Sequence, residues 1–270
     1  MNLTRLLSAL TAIAAALFFL IPLAATFNFS LRMEREQLSF AAYGSVLQSD
    51  TFVSALGFSA LASALAIVFG VLLVVPTAYW VRLKLPALRP LVEFLSLMPL
   101  IIPPVVLVFG YVRIYGTGSL LPMTMTQMGT NILLVIGYIV LSLPYMYRAV
   151  DNGMSAIDIG TLTEAAESLG ASRARTVTMV IFPNVRSAIL SGAFLTFSIS
   201  LGEFAMTSLL NRPGFGPYMV QIGQDYAYEP AAIAIMAFAF TWACMALMAF
   251  FANRKPGQGL LPGVLKRAKS

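Results

Sequence analysis

Residues Ile157–Arg186 read IDIGTLTEAAESLGASRARTVTMVIFPNVR, a polar and charged interruption in a chain that is otherwise strongly apolar. The chain has 270 residues, of which 59% are hydrophobic and only 10% are charged, and its mean hydropathy is +0.84. Soluble globular domains carry about 25% charged residues. The composition therefore predicts a polytopic membrane protein, and the segment 157–186 is expected to lie outside the bilayer.

Six stretches with almost no charged residues are long enough to cross a membrane, because a hydrocarbon core of about 30 Å needs roughly 20 helical residues. They are Leu6–Phe27, Phe52–Val81, Phe94–Val112, Asn131–Tyr147, Ser187–Leu210 and Pro230–Asn253. The runs lack the two-residue alternation of barrel strands. The predicted fold class is therefore all-α, with six transmembrane helices. The first stretch exceeds a typical signal-peptide core and precedes no small-x-small cleavage site, so we expect a retained span.

The distribution of basic residues predicts the orientation of these spans. Of the 17 Lys and Arg residues, the predicted outer segments hold only Arg32, Arg35, Arg113 and Arg212. Lys and Arg concentrate in cytoplasmic loops, so both termini are expected in the cytoplasm. The net charge of +6 follows from this bias. The basic residues are scattered over short loops, which predicts contact with membrane lipids and no nucleic-acid partner.

Composition also excludes several kinds of chemistry. The chain has no histidine, which removes histidine metal sites and histidine-based acid–base catalysis. Its single cysteine, Cys244, lies within a predicted span, so no disulfide framework is expected. No Gly-x4-Gly-Lys-Ser/Thr phosphate loop is present. Asp50, Asp151, Asp158 and Asp225 are all expected in loops, which argues against an intramembrane aspartyl enzyme. We predict no catalytic residue, no metal site and no cofactor of its own.

The segment 157–186 carries the local signals of two helices joined by a tight turn. Thr161 and Glu164 have the spacing of a capping box at the start of the first helix. Gly170 suits a left-handed C-cap. Ser172 is a good N-cap for the second helix, which Pro183 limits. The first helix carries one narrow apolar stripe, formed by Leu162, Ala165, Ala166 and Leu169.

Such a hairpin suits either docking to a partner or lying on the membrane surface. Its two alanines allow a partner backbone to approach closely. Glu164 and Glu167 offer carboxylates to arginines of a partner. Arg173 and Arg175, just after the turn, are placed to meet acidic groups or lipid head groups.

The spacing of the hairpin resembles a known transport motif. Glu164-Ala165-Ala166 is followed after three residues by Gly170, and nine residues later by Val180-Ile181-Phe182-Pro183. This resembles the EAA motif, EAA-x3-G-x9-I-x-L-P, of permease subunits in binding-protein-dependent ABC importers. Val180 and Phe182 replace the isoleucine and leucine. The flanking stretches Leu143–Arg148 and Ser155–Asp158 also resemble the family, and the resemblance covers roughly Phe52–Phe251. It is closest to permeases for polyamines, iron(III), sulfate or molybdate, and phosphonates.

The resemblance implies a type I ABC importer permease of the bacterial inner membrane. It divides the chain into an N-terminal span with the first periplasmic loop (1–51), a permease core (52–252) and a basic cytoplasmic tail (253–270). The coupling loop, 154–186, would dock in a groove of an ATP-binding subunit. The implied coupling residues are Glu164, Ala165, Ala166, Glu167, Leu169, Gly170, Arg173 and Pro183.

The resemblance also implies several partners. These are a second, homologous permease subunit, two ATP-binding subunits, and a periplasmic or lipid-anchored solute-binding protein. ATP and magnesium would be bound by the ATP-binding subunits.

Two places inside the membrane are candidates for the translocation pathway. The segment Met98–Pro104 holds three prolines and predicts a broken third span, either lining the pathway at Pro103 and Pro104 or forming a packing kink. Glu203 is a carboxylate within the fifth span. It is expected either in the pathway with Ser200 and Phe204, or in pairing across a subunit interface or near the outer surface.

For the substrate, we expect a polyamine-like cation first, then ferric iron, then an oxyanion or phosphonate. The alternative function is a stand-alone secondary transporter that uses Glu203 for ion coupling. The outer segment Asn211–Tyr218 reads as a turn-rich loop. This loop, with Arg212, Asp225 and Glu229, either docks a solute-binding protein or is simply solvated, and the solvated interpretation is favoured.

Overall fold

The computed structural model describes residues 3–34 and 37–253, and these residues form helices and connecting turns with no β-strand. The α-helices are α1 (Leu3–Ser30), α2 (Ala41–Leu47), α3 (Asp50–Leu83), α4 (Arg89–Leu97), α5 (Pro104–Tyr115), α6 (Gln127–Ser155), α7 (Ile159–Ser168), α8 (Arg173–Thr176), α9 (Phe182–Asn184), α10 (Arg186–Leu201), α11 (Ala205–Leu209), α12 (Phe215–Asp225) and α13 (Glu229–Asn253). A π-helical turn, Val177–Ile181, joins α8 to α9. The predicted all-α class is confirmed for this part of the chain.

Four of the described helices are long and apolar enough to cross a membrane: Arg5–Ser30, Asp50–Leu83, Gln127–Ser155 and Glu229–Phe250. Two further segments qualify only as bent pairs, Pro86–Leu100 with Pro104–Tyr115 and Arg173–Asn184 with Arg186–Leu201. The described chain therefore has four candidate spans, or up to six if each bent pair is one span.

The proline-rich segment breaks the third predicted span, as the sequence predicts. One arm ends in a 3₁₀ turn, Met98–Leu100, and α5 begins at Pro104. Pro103 is the N-cap of α5 and has an extended backbone, with ψ at 142°. Proline has no N–H to continue the hydrogen-bond ladder, so a helix is interrupted where prolines cluster but is readily started by one.

The chain divides into two compact units. The first comprises Met1–Ala66, Ile102–Leu141 and Phe197–Trp242, and the second comprises Ile67–Ile101, Ser142–Thr196 and Ala243–Ser270. The core of the second unit is built from residues of α3, α6, α10 and the π-helical turn. Its fully buried members include Ala78, Tyr79, Val150, Met154 and Ile181. This core supports the hairpin of the EAA motif.

The first unit has two cores. One packs Ala66, Val108, Leu134, Tyr138 and Met206 together, so it joins α3, α5, α6 and α11. The other packs Val46, Phe52, Phe215, Tyr218 and Ile233 together, so it joins α2, α3, α12 and α13. Val46, Phe215 and Tyr218 of the second core lie in segments that the charge pattern predicts outside the cell, whereas Phe52 and Ile233 lie near the outer ends of predicted spans.

Two expectations for the loops are wrong. Of the four aspartates expected in loops, only Asp158 lies between helices: Asp50 begins α3, Asp225 ends α12 and Asp151 lies within α6. Membrane-crossing helices here extend beyond their apolar stretches, so charged residues near the ends of spans are helical. The segment Asn211–Tyr218 is also not a simple turn, because it leads into the 11-residue helix α12.

Candidate coupling site

Helix α7 begins three residues earlier than the capping box predicts. Its N-cap is Asp158, whose carboxylate accepts hydrogen bonds from the Thr161 N–H at 3.1 Å and from the Thr161 hydroxyl at 2.8 Å. The expected cap at Thr161 is therefore wrong, because Asp158 offers the stronger, charged acceptor one turn upstream. The hydrogen bonds from Thr161 hold the pKa of Asp158 below its usual value.

The turn between α7 and α8 matches the prediction. Gly170 has φ of +80°, in the left-handed region that favours glycine. Its N–H donates to the Glu167 carbonyl at 2.9 Å, and the Ala171 N–H donates to the Ala166 carbonyl at 3.0 Å. This pair of bonds is the Schellman arrangement that ends a helix tightly. Ser172 is then the N-cap of α8, with its side chain accepting from the Arg175 N–H.

The second half of the hairpin runs from Arg173 to Asn184 and bends by 79° before α10. Pro183 lies in α9, immediately before this bend. Val185, two residues after Pro183, has a non-helical backbone, with φ of −103° and ψ of 10°. Pro183 therefore marks the end of the second helix, as its position in the sequence predicts.

Helix α7 has two faces with different surroundings. The inner face is buried at Ile159, Thr163 and Ala166 and partly buried at Leu162. The Thr163 hydroxyl forms a hydrogen bond of 3.2 Å with the hydroxyl of Tyr79 on α3. The inner face therefore attaches the hairpin to the core of its own unit.

The outer face of α7 and its turn is exposed, and it consists of Glu164, Ala165, Glu167 and Leu169. Leu169 is 89% exposed, although it is a large apolar side chain in a polar loop. The single apolar stripe predicted from the sequence is therefore split: Leu162 and Ala166 turn inward, while Ala165 and Leu169 remain at the surface. Among the described residues, neither Glu164 nor Glu167 forms an ion pair.

Arg173 provides a second attachment of the hairpin to α3. Its guanidinium lies over the ring of Trp80, 5.4 Å from the ring centroid. A cation–π contact at this distance contributes about 0.5–1 kcal/mol at an exposed site. Tyr79 and Trp80 are consecutive, so α3 holds α7 through one residue and α8 through the next.

A buried ion network lies in the same unit, and the sequence analysis missed it. Asp151 is 6% exposed, and its carboxylate contacts Arg82 on α3 at 2.5 Å and Arg89 on α4 at 3.2 Å. Arg89 also contacts Glu93 at 3.5 Å. The two arginines lie 69 and 62 residues before Asp151, so no local pattern could pair them. The network joins α3, α4 and α6, and α6 leads directly into the hairpin.

Glu203 lies in a break between α10 and α11, where it acts as a helix cap. Its carboxylate accepts hydrogen bonds from the Met206 N–H at 3.0 Å, from the Thr207 N–H at 3.1 Å and from the Thr207 hydroxyl at 3.2 Å. The Thr207 hydroxyl also bonds Tyr138 at 2.6 Å. Two of the backbone N–H groups left open at the start of α11, those of Met206 and Thr207, are thus satisfied by this one side chain.

The other residues predicted for the pathway have mixed surroundings. Ser200 is fully buried, and its hydroxyl has no hydrogen-bond partner in the described part of the chain. Phe204 is 44% exposed, Pro103 is exposed and Pro104 is half-buried. Helix α5 packs on α11 through Val108 and Met206. The two breaks, at Pro103 and at Glu203, are therefore linked by packing within the first unit.

The chain belongs to the family of binding-protein-dependent transport system inner membrane components, which matches residues 66–255. This family comprises permease subunits of ABC transporters, which are transport components. The matched region contains α7, the turn at Gly170 and the break at Glu203.

Three relatives illustrate the range of the family. A probable molybdenum ABC transporter permease protein of Haloferax volcanii is 31% identical over 56% of this chain and 54% of its own length. A ferric transport system permease protein of Actinobacillus pleuropneumoniae is 28% identical over 71% of this chain and 28% of its own length. A sulfate transport system permease protein of Salmonella typhimurium is 26% identical over 70% of this chain and 68% of its own length. The match thus spans about half of the molybdenum relative and under a third of the ferric one.

Solved structures agree on the fold. A bacterial ABC transporter that imports the acidic polysaccharide alginate superposes with a TM-score of 0.69, covering 94% of this chain and 96% of that chain at 16% identity. A bacterial alginate ABC transporter in complex with an alginate pentasaccharide-bound periplasmic protein superposes with a TM-score of 0.71. The superposition covers 93% of this chain and 94% of that chain, at 15% identity. The described helices therefore have the fold of an ABC importer permease.

Proposed function

We propose that this chain is one permease subunit of an ATP-driven importer and that the outer face of α7 docks an ATP-binding subunit. The observation that carries the proposal is the exposure of Leu169, at 89%, between a tight turn and two carboxylates that form no ion pair within the described residues. Burying a leucine side chain contributes about 1.5–3 kcal/mol. A partner groove with an apolar floor and arginines at its rim would complement this face.

The hairpin is attached firmly enough to transmit a movement. The Schellman turn at Gly170 fixes α7 against α8. The hydrogen bond between Tyr79 and Thr163 and the stacking of Arg173 on Trp80 then tie both halves to α3. Closure of two ATP-binding subunits around ATP would displace such hairpins as rigid bodies, and α3 and α10 would carry the displacement into the membrane. This chain contributes no residue to ATP hydrolysis in the mechanism.

The arrangement in the membrane follows from this role. We propose six spans, with each bent pair crossing once, a type I importer fold, and both termini on the cytoplasmic side of the bacterial inner membrane. The partners are a second permease subunit, two ATP-binding subunits that hold ATP and magnesium, and a periplasmic or lipid-anchored solute-binding protein. Six spans are few for a complete pathway, which supports pairing with a second permease.

For the substrate, we place a small inorganic ion above a polyamine-like cation. The carboxylate of Glu203 argued for an organic cation, but its oxygens are engaged by Met206 and Thr207 of the chain itself. The relatives include permeases named for molybdenum, ferric iron and sulfate and one named for spermidine and putrescine, so the ranking rests on the contacts of Glu203. The solute-binding protein, a separate chain, would make most of the selection.

The test of the proposed function compares two leucines that are both highly exposed. Leu169→Asp places a charge in the proposed docking face, and Leu120→Asp makes the same change at a residue that is 102% exposed in a segment predicted outside. We expect both variants to reach the membrane with unchanged thermal stability. Transport by Leu169→Asp should fall at least tenfold, because a charge replaces a buried apolar contact, and Leu120→Asp should transport normally.

Equal transport by the two variants would contradict the docking role. The alternative function, secondary transport through Glu203, makes a different prediction in vesicles. It requires uptake driven by an ion gradient in the absence of ATP, whereas the importer requires ATP on the cytoplasmic side.

A further inference from the structure

Two adjoining depressions lie in the second unit, among α3, α4 and α6. The first is the polar cavity, of about 190 Å³, and its lining includes Arg89, Glu93, Arg148, Asp151 and Asn152. The second is the apolar groove, of about 260 Å³, and its lining includes Leu73, Val74, Val92, Leu95 and Leu143. Ser96 and Tyr147 line both, so the polar cavity lies directly beside the apolar groove.

The polar cavity carries an excess of positive charge. Its carboxylate Asp151 is engaged by Arg82 and by Arg89. Its second carboxylate, Glu93, contacts Arg89 at 3.5 Å. Arg148 is exposed and forms no ion pair within the described residues. The three arginines therefore outnumber the two carboxylates, and an exposed guanidinium is well suited to bind a phosphate group.

The apolar groove extends deeper into the predicted spans than the polar cavity. Helix α6 runs toward the polar segment 157–186, so Leu143 lies within the predicted fourth span and Arg148 lies beyond its end. Leu73 on α3 likewise lies within the predicted second span. Leu73 and Leu95 are each 52% exposed, so the groove is open at the surface of its unit. A charged end near the membrane surface and an apolar end toward its centre match the head group and acyl chain of a phospholipid.

We propose that the polar cavity and the apolar groove together bind an anionic phospholipid of the cytoplasmic leaflet. Its phosphate lies beside Arg148 and Arg89, where the exposed side-chain amide of Asn152 can donate a further hydrogen bond. Part of one acyl chain lies in the apolar groove. Basic pockets between transmembrane helices on the cytoplasmic side are typical binding sites for anionic head groups.

The cavity and the groove select this ligand only in combination. A soluble phosphate would use the arginines and leave the groove unused. A lipid without net charge would fill the groove and leave the charge of Arg148 without a counter-ion in the described chain. An anionic phospholipid uses both depressions, so it is the ligand that the pair fits best.

The inference does not rest on the proposed function, because lipid binding is measured without ATP or transport. The full chain, with any subunits that copurify, is stripped of its native lipid in detergent. It is then titrated with dioleoyl phosphatidylglycerol, which is anionic, and with dioleoyl phosphatidylcholine, which has the same chains and no net charge. We expect native mass spectrometry to show saturable binding of the anionic lipid and at least about tenfold weaker binding of the neutral one. Glycerol 3-phosphate, which has no acyl chain, should not compete at equal concentration.

One pair of variants tests the head-group contact. Arg148→Gln removes an exposed charge that pairs with no described residue, so the variant should fold normally. We expect it to bind phosphatidylglycerol about tenfold more weakly, since hydrogen bonds between charged groups are the stronger ones. Lys84→Gln removes the same charge from an exposed residue that is not in the lining of either depression, and it should leave binding unchanged.

A second pair of variants tests the acyl-chain contact. Leu91 and Leu95 both lie on α4 and are both 52% exposed, but only Leu95 lines the apolar groove. Leu95→Asn should weaken binding of phosphatidylglycerol several-fold, because a polar amide replaces an apolar contact with the chain. Leu91→Asn should bind as the wild type does.

The anionic-lipid site is overturned if binding is not saturable, if the two lipids bind equally, or if Arg148→Gln binds as tightly as Lys84→Gln. Displacement of the lipid by an equal concentration of glycerol 3-phosphate would mean that the cavity binds a soluble phosphate instead. Equal binding by the Leu91 and Leu95 variants would exclude the groove as the place of the acyl chain.

Discussion

The carboxylates of the hairpin and the carboxylate of the α10–α11 break are used in opposite ways. Glu164 and Glu167 point away from their own unit and have no ion-pair partner within the described residues. Glu203 accepts hydrogen bonds from two backbone N–H groups and a hydroxyl of the next helix. In both regions a carboxylate is conspicuous in the sequence, but only in the hairpin is it left available to another molecule.

The difference shows how a charged residue in a membrane protein should be interpreted. An ionisable group in a span is costly, and it is reasonable to expect a function for it. A broken span, however, creates open N–H groups at the start of its second helix, and these must be satisfied where there is no water. Glu203 meets that need for the N–H groups of Met206 and Thr207. The role of Glu203 is therefore tested by measuring both stability and transport in the same Glu203 variants.

The largest expected effect is at Asp151, in the ion network that joins α3, α4 and α6. Asp151→Asn removes the charge that compensates Arg82 and Arg89, and breaking a buried ion pair by neutralising one partner costs about 3–5 kcal/mol. Arg82 and Asp151 side chains are 17% and 8% exposed, so solvent screens this pair little. We expect a marked fall in thermal stability, measured by fluorescence-detected size exclusion after heating.

The matched control is Glu93→Gln. Glu93 pairs with Arg89 at the surface, where both side chains are close to half exposed. Exposed pairs contribute about 0–1 kcal/mol, so this variant should resemble the wild type. Similar losses in the two variants would mean that the buried pair of Asp151 contributes no more to stability than the exposed pair of Glu93.

A smaller effect is expected at Glu203, and it separates the two roles proposed for this residue. Glu203→Ala removes the cap of α11 and should cost about 2 kcal/mol, whereas Glu203→Gln keeps an acceptor oxygen and should cost less than about 1 kcal/mol. If Glu203 is only a cap, transport in each variant should decline with stability. Unfolding midpoints and uptake are measured on the same preparations.

A pathway role for Glu203 gives a different pattern. Glu203→Gln would then fold normally and yet lose transport, because the charge itself would be needed. That result would mean that the carboxylate of Glu203, like those of Glu164 and Glu167 in the hairpin, interacts with another molecule.

The smallest expected effect concerns Asp158, the N-cap of α7. Hydrogen bonds from Thr161 lower its pKa in the folded hairpin, so its contribution is complete above the usual aspartate pKa of about 3.9 and is lost as the pH falls through the lowered value. We expect Asp158→Ala to speed amide hydrogen exchange in α7 near neutral pH. The difference from the wild type should disappear once the carboxyl is protonated in acid. A difference that persisted in acid would indicate a cause other than the capping charge.

The local features of the hairpin could be predicted, because each depends on one or two residues. Gly170 requires a left-handed turn, Ser172 a helix start and Pro183 a helix end, and all three are found in the structure. The start of α7 was misplaced because Asp158 and Thr161 are both good N-caps, one turn apart. Choosing between them needed the contact of Ile159 with the core, which lies outside the local sequence.

Features that depend on distant residues were not predictable. The pairing of Asp151 with Arg82 and the cap that Glu203 forms on α11 depend on where helices begin, end and meet. Glycine and proline in Gly214–Pro217 suggested a loop, yet proline is tolerated in the first turn of a helix, and α12 starts there. The sequence was informative about the exposed motif and less so about the buried polar contacts.

The central claim is that the outer face of α7 contacts an ATP-binding subunit, and site-specific cross-linking tests it most directly. The chain has a single cysteine, so Cys244→Ser gives a background in which Leu169→Cys or Leu120→Cys is the only thiol. Each is labelled with a photoactivatable maleimide in native membranes. We expect residue 169 to cross-link to an ATP-binding protein, more weakly in high salt, and residue 120 not to do so. Cross-linking of residue 169 to lipid alone would contradict it.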